Sequence, residues 1–250
     1  MKVKLLTHTP EPGKIIAAAA KLCYSNKVDI DSIMDDLTSE NTEKFIEGLM
    51  DMGHESPLEH VSFTFAVEGV SRNFTHELVR HRLASYSQRS MRYCSESNCE
   101  IIKPDKFKRV ARYTEKAKKT FDDIAKESIA AYNELLDQGV SKEDARYILP
   151  NGTATRIIFT MNLRTLLHFF NLRCCRRAMG EMREVAFEML RLCRNISPVL
   201  FKKAGASCRS LGYCPEGSKC CGAAPTLDML LKAYEKVSCK EVDPMLKGDM

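Results

Sequence analysis

Tryptophan is missing from the 250 residues, and no stretch approaches the roughly 18–20 apolar residues that a membrane-spanning helix needs. The opening Met1-Lys2-Val3-Lys4-Leu5-Leu6-Thr7-His8 turns polar too soon for a secretory leader, so a cytoplasmic protein with no membrane partner is expected. Neither a P-loop nor a G-x-G-x-x-G run is present, which removes two common ways of holding nucleotide phosphates. Internal repeats, low-complexity runs and Pro/Ser-rich linkers are also lacking, so nothing suggests a solenoid or a tethered array. The net charge of +5 is too small for a global nucleic-acid binder and argues for a local anion site, with no nucleic-acid partner.

Cysteine, by contrast, is abundant. Eleven are present, an odd number, with no C-x-x-C pair among them. Without a leader, free thiols or metal ligation are expected rather than a disulfide frame. Cys208, Cys214, Cys220 and Cys221 cluster late, with Gly212, Pro215 and Gly217 between them. Tight turns between thiols suit a tetrahedral structural zinc or an iron–sulfur site, and a reduced cysteine-rich flap is the plainer reading.

The hydrophobic pattern predicts strands over Val3–Thr7, Val61–Val67 and Thr155–Met161, where β-branched and aromatic residues alternate with polar ones. Helices are predicted over Gly13–Tyr24, over Asn41–Met52 (capped by Asn41, stopped by Gly53) and over Phe74–Ala84. A long charged helix is expected from Lys106 to Gln138, then a short one capped by Ser141 and ending before Pro150. A second long helical region runs from Arg164 towards Ala204, with Ala178, Met182, Val185, Met189, Leu192 and Ile196 as its buried stripe. Few strands and long helices imply an α+β fold: one domain with a small, mostly antiparallel sheet packed by helices.

The most informative stretch is Arg80-His81-Arg82-Leu83-Ala84-Ser85-Tyr86-Ser87-Gln88-Arg89-Ser90-Met91-Arg92. It holds four arginines, three serines and no carboxylate. Guanidinium forks and hydroxyls match phosphate oxygens, so a bound anion competes here with a solvated basic face.

Arg80-His81-Arg82, with Ser90 after seven residues and Arg92 two beyond, resembles the signature of the flavin-dependent thymidylate synthases. Three further segments resemble that family in the same order: His54-Glu55-Ser56-Pro57-Leu58-Glu59-His60, Ala145-Arg146-Tyr147-Ile148-Leu149-Pro150, and Asn162-Leu163-Arg164 through His168 to Arg173. The resemblance implies a homotetramer with shared active sites over residues 1–204, and 205–250 as a cysteine-rich extension. It implies reductive methylation of dUMP to dTMP without a cysteine nucleophile. FAD would be the cofactor, methylenetetrahydrofolate the carbon donor and NADPH the reductant.

By the same resemblance, Ser56, Arg80, His81, Arg82, Gln88, Asn162, Arg164 and His168 would contact FAD, joined by Glu59. Glu77, Arg80, Gln88, Arg89, Ser90, Met91, Arg92, Arg146 and Arg173 would hold dUMP. Arg173, which stays protonated, would stabilise negative charge on the uracil carbonyls rather than act as a base. Ser90 would bind substrate, since a serine nucleophile needs an adjacent base. His54 and His60 read more plainly as residues that order their loop.

Three departures from the family pattern stand out: Glu77 for a frequent glutamine, Ser87 for a frequent asparagine, and Met179-Gly180 for a frequent Gln-Trp pair. Glu77 is expected to face Arg80 or the base edge, or to be protonated. The competing readings are a metal-stabilised RNA-binding module and a flavoprotein reductase with another acceptor. The first would use Tyr86 and Tyr93 for base stacking; the second would leave Arg92, Arg146 and Arg173 without a role.

Overall fold

Residues 62–71 set the frame. Phe63, Phe65 and Val67 are buried while Thr64, Ala66 and Glu68 between them are not, the two-residue period of a half-buried strand. The computed structural model describes residues 1–26, 29–104, 107 and 114–238. Its sheet has four strands: β1 (Lys2–His8), β2 (Ser62–Ser71), β3 (Ala84–Gln88) and β4 (Ala154–Asn162). Their spatial order is β1-β2-β4-β3, and every pairing is antiparallel. Near its end β2 bulges between Glu68 and Val70, where Gly69 takes φ +68°, and an added Cβ would sit 3.2 Å from the Met1 backbone nitrogen.

One face of this sheet is dry. Phe63, Phe65, Val67, Ile157, Phe159 and Met161 are buried against helices α1 (Pro12–Leu22), α3 (Ser39–Asp51), α7 (Leu163–Arg173) and α8 (Gly180–Ile196). Each large side chain fully buried there contributes about 1.5–3 kcal/mol of transfer free energy. The other face presents Thr64, Ala66, Thr160, Ser85 and Ser87, with Ile158 left 45% exposed.

The other α-helices given ranges among the described residues are α2 (Ile30–Asp35), α4 (Arg72–Leu78), α5 (Glu115–Asp137), α6 (Lys142–Ala145), α9 (Ser207–Leu211) and α10 (Leu227–Ser238). Ser71 starts α4 twice over. Its Oγ accepts from Phe74 N at 3.1 Å and donates to Glu181 Oε2 at 2.6 Å, while its own N–H reaches Glu181 Oε1 at 2.6 Å. The first turn of α8 therefore clamps the first turn of α4.

The expected α+β class with a small antiparallel sheet is what the chain adopts. Several boundaries differ. The helix predicted over Phe74–Ala84 ends at Leu78, and the chain turns to enter β3 at Ala84. Tyr86 explains the turn: its hydroxyl lies 2.9 Å from the Leu78 carbonyl and 2.7 Å from that of His81, satisfying groups a longer helix would have bonded. The long region from Arg164 is two helices, broken over 174–179 and ended at Ile196 ahead of Pro198.

The stripe on α8 runs through Met182, Val185, Ala186, Met189, Leu190 and Cys193. Ala178 precedes the helix, Leu192 is half-buried at the edge of the stripe, and Ile196, the last residue of the helix, is exposed. Helix α3 begins at Ser39 behind Thr38, so Asn41 is not its cap. Gly53 and Gly139 do end helices, at φ +74° and +85°. The start of the predicted Lys106–Gln138 helix lies mostly outside the described residues, and α2, capped by Asp29, was not anticipated. No helix among the described residues is long and apolar enough to cross a membrane.

Candidate functional site

The sheet delivers its chemistry at strand ends. Strand β4 ends in Asn162, whose Oδ1 accepts from Thr165 N at 2.9 Å and caps α7. That cap fixes the helix carrying Arg164, His168 and Arg173. Arg164 and His168, four residues apart, both lie exposed. Arg164 reaches the 3-10 turn Ser56–His60 and its approach, with Nε 2.9 Å from Glu55 Oε2 and NH1 2.6 Å from Glu59 Oε1. Ser56, Asn162, Arg164 and His168 thus share one end of the sheet, with His54, Glu59 and His60 exposed beside them.

At its other end α7 supplies Arg173. Its Nε donates to His81 Nε2 at 3.1 Å, its NH1 to Glu77 Oε2 at 2.8 Å, and its NH2 to the Glu77 carbonyl at 3.2 Å. His81 is 6% exposed, with its ring against Phe169 and His168. Burial, then the charge of Arg173, then His168 push its pKa down to about 4, so His81 is neutral at pH 7. Because Nε2 accepts from Arg173, the ring proton sits on Nδ1. Glu77 faces Arg173, not Arg80 as expected. Arg80 and Arg82, in the turn before β3, are exposed and have no side-chain partner among the described residues.

A third group follows β3. Strand pleating sends Ser85 and Ser87 to the open face and Tyr86 and Gln88 to the helix face, so the serines and Gln88 do not form one cradle. Gln88 Nε2 donates to Thr75 Oγ1 at 3.0 Å. Arg89 pairs with the buried Glu96 and donates from NH2 to the Ser95 carbonyl at 3.0 Å. Ser90 Oγ accepts from Arg92 N at 3.2 Å, and neither a histidine nor a carboxylate reaches it among the described residues. Met91 is buried and anchors the loop. Arg92 Nε lies 2.8 Å from Glu143 Oε2, and Arg146 Nε donates to the Glu143 carbonyl at 3.0 Å. Helix α5 braces this loop from outside: the Tyr132 hydroxyl accepts from Glu96 N at 3.3 Å, and Asn133 Nδ2 donates to the Ser97 carbonyl at 3.2 Å.

The sequence-local lack of carboxylates is therefore made good in three dimensions. Glu96 serves Arg89, Glu143 serves Arg92, Glu55 and Glu59 serve Arg164, and Glu77 serves Arg173. Among the described residues Arg80, Arg82 and Arg146 of the selected arginines pair with no carboxylate, and Arg146 spends its Nε on the Glu143 carbonyl, which leaves Arg80 and Arg82 with the whole fork free.

Sequence reasoning missed Arg72. Its NH2 donates to the Arg89 carbonyl at 3.2 Å, and its buried Nε has no partner among the described residues. Burial lowers its pKa, Glu96 opposes that, and Arg146 and Arg89 add to it, so three guanidiniums converge around one carboxylate. The Ser71-Arg72 pair at a strand's end was the available signal, since serine there caps a helix. A cavity of about 410 Å³ opens beside Arg89, walled by Ser95, Glu96, Ser97, Asn98 and Arg156. Of the selected residues it reaches only Arg89.

Among the described residues no three His, Cys, Asp or Glu side chains converge as a metal requires, and Cys221 is exposed. Cys214 and Cys220 are both held against residues 224–226, and Cys208 lies near enough to Cys214 to act on its thiol. Cys174 is buried, and burial pushes its thiol up to about 12; Cys193 is raised further for the same reason. Neither is a nucleophile at neutral pH.

A family described as "Thymidylate synthase complementing protein" matches residues 4–199. A flavin-dependent thymidylate synthase of Geobacter sulfurreducens is 46% identical over 236 residues, covering 93% of this chain and 98% of that protein. One from Clostridium tetani is 47% identical, covering 90% of this chain and 94% of its own length. One from Pyrococcus furiosus is 42% identical, covering 86% and 90%.

Proposed function

Because the chain belongs to the flavin-dependent thymidylate synthases, we propose that it converts dUMP to dTMP, taking the carbon from methylenetetrahydrofolate and re-reducing its flavin with NADPH. The observation that carries the reading is Arg173, held between neutral His81 and Glu77. A fixed guanidinium that cannot lose its proton suits a pyrimidine ring whose carbonyls gain negative charge.

The donors fit a flavin dinucleotide. Arg80 and Arg82 offer free forks for a diphosphate, and Asn162 keeps its amide N–H₂ after spending Oδ1 on the cap. In this reading Ser56, Arg80, His81, Arg82, Asn162, Arg164 and His168 hold FAD, and Gln88 steadies the end of β3 from Thr75. When bound, reduced flavin would supply the hydride for the reductive methylation. Arg89, Ser90, Met91, Arg92 and Arg146 hold dUMP at its phosphate side, and Glu77, Arg80 and Arg173 face the base. No cysteine attacks the ring, in keeping with the raised pKa of Cys174 next to Arg173.

Residues 1–204 form the catalytic unit, and 205–250 an extension of it. The working unit is a homotetramer that builds each site from more than one subunit. Two observations support that assembly. The open sheet face has no helix over it among the described residues, and Leu83, Tyr93 and Tyr147, in the site segments, are 76%, 73% and 82% exposed. The test is dTMP formation from dUMP, methylenetetrahydrofolate and NADPH with FAD-loaded protein. Consumption of NADPH without dTMP would instead describe a reductase.

A further inference from the structure

Two thiols in the tail are brought together by backbone. Cys214 donates its N–H to the Pro225 carbonyl at 2.7 Å and bridges to Thr226. Cys220 donates Sγ–H to the neighbouring carbonyl, that of Ala224, at 3.3 Å, and its Sγ accepts from Gly222 N at 3.3 Å. Residues 224–226 thus grip both cysteines from one side.

The loop between them is pinned as well. Glu216 pairs with Arg177, the short turn Gly217–Lys219 closes the loop, and Ser207 Oγ donates to the Asn171 carbonyl at 3.2 Å. Cys214 is 7% exposed and Cys220 is half-buried, so solvent reaches the pair through Cys220.

We propose that Cys214 and Cys220 are a redox-active dithiol that exchanges with small disulfides and closes reversibly into an intramolecular disulfide. Cys220, as thiolate, attacks one sulfur of a low-molecular-weight disulfide and expels one thiolate of the reagent. Cys214 then loses its proton and attacks Cys220 Sγ in the mixed disulfide, expelling the second. One protein S–S bond replaces two S–H bonds, and the reagent disulfide is reduced to two thiols. The division of labour follows the surroundings. Cys220 is half-buried and meets the reagent first, while Cys214, 7% exposed, is left to resolve the mixed disulfide.

The adjacent cysteines cannot substitute. Consecutive Cα atoms are about 3.8 Å apart and a disulfide wants roughly 4.4–6.8 Å, so Cys220–Cys221 and Cys174–Cys175 are poor bridges.

The test equilibrates full-length protein with mixtures of reduced and oxidised glutathione, blocks free thiols with N-ethylmaleimide and maps tryptic peptides by mass. Trypsin cuts after Arg209 and Lys219, so Cys214 and Cys220 fall in separate peptides and the bond joins them. Alkylation of both should vanish together as the joined pair appears. Cys221→Ser should leave that bond intact, and Cys214→Ala should accumulate a glutathione adduct on Cys220. A bond through Cys208 or Cys221, adducts without a joined pair in the native chain, no adduct on Cys214→Ala, or zinc that shields these thiols would each overturn the proposal.

Discussion

Arg173 and His81 are joined by a hydrogen bond of 3.1 Å that only one protonation state of the histidine allows. Nε2 accepts from a permanent cation, so a second proton there would set two positive groups against each other. The fold keeps His81 neutral by burying it and uses it, with Glu77, to aim the guanidinium. His81 therefore belongs to the flavin group by position along the chain and to the substrate group by contact.

Replacing Arg173 with Ala should remove dTMP formation while FAD stays bound. Loss of a donor aimed at developing charge costs about 10²–10³ in kcat. Steady-state turnover and the flavin-to-protein ratio, measured on the same sample, check it. Retained turnover would remove Arg173 from the chemistry.

The His81 environment makes stability depend on pH. The unfolded chain takes up a proton below the ordinary value of 6.5, whereas the folded chain resists until about 4. Stability is full above pH 6.5 and is lost as pH falls towards 4, by about 3 kcal/mol at most. Urea unfolding of the native chain and of His81→Gln across that window isolates the effect from carboxylate titration. The native chain should lose more, and equal slopes would contradict the assignment.

Ser90→Ala should keep measurable turnover with a raised KM for dUMP. Its Oγ accepts only from the Arg92 N–H, and no base reaches it among the described residues. A complete loss of kcat with intact dUMP binding would restore a nucleophilic role.

Ser71→Ala removes the α4 cap and one of the two hydrogen bonds from Ser71 to Glu181. The expected cost is about 1–2 kcal/mol, read as a lower urea midpoint. Because α4 has Arg72 at one end and Glu77 at the other, KM for dUMP should rise as well. An unchanged midpoint would mean that α4 is held by its buried Phe74 and Leu78 alone.

The central strands were legible because burial on one face writes itself as alternation: Phe63, Phe65 and Val67 on β2, then Ile157, Phe159 and Met161 on β4. Strand β3 was not, because Ala-Ser-Tyr-Ser-Gln at a sheet edge carries little apolar signal, and helical spacing from Phe74 to Leu78 ran past its true end. The selected arginines were legible as an acid-free run. Their partners were not, since Glu77 and Arg173 are separated by 96 residues and Glu143 reaches Arg92 across 51. Nothing in one sequence announces such pairings. The cysteine tail shows the limit most plainly, for its spacing allowed a metal centre while no three ligating side chains converge among the described residues.

The most direct test of the account is an anaerobic absorption spectrum of the FAD-loaded protein, recorded before and after adding dUMP. The account predicts a flavin spectrum that shifts with dUMP and not with other nucleotides, because His81, whose ring lies against His168 of the flavin group, is hydrogen-bonded to Arg173. A flavin spectrum indifferent to dUMP, or a protein that takes up no FAD, would contradict it.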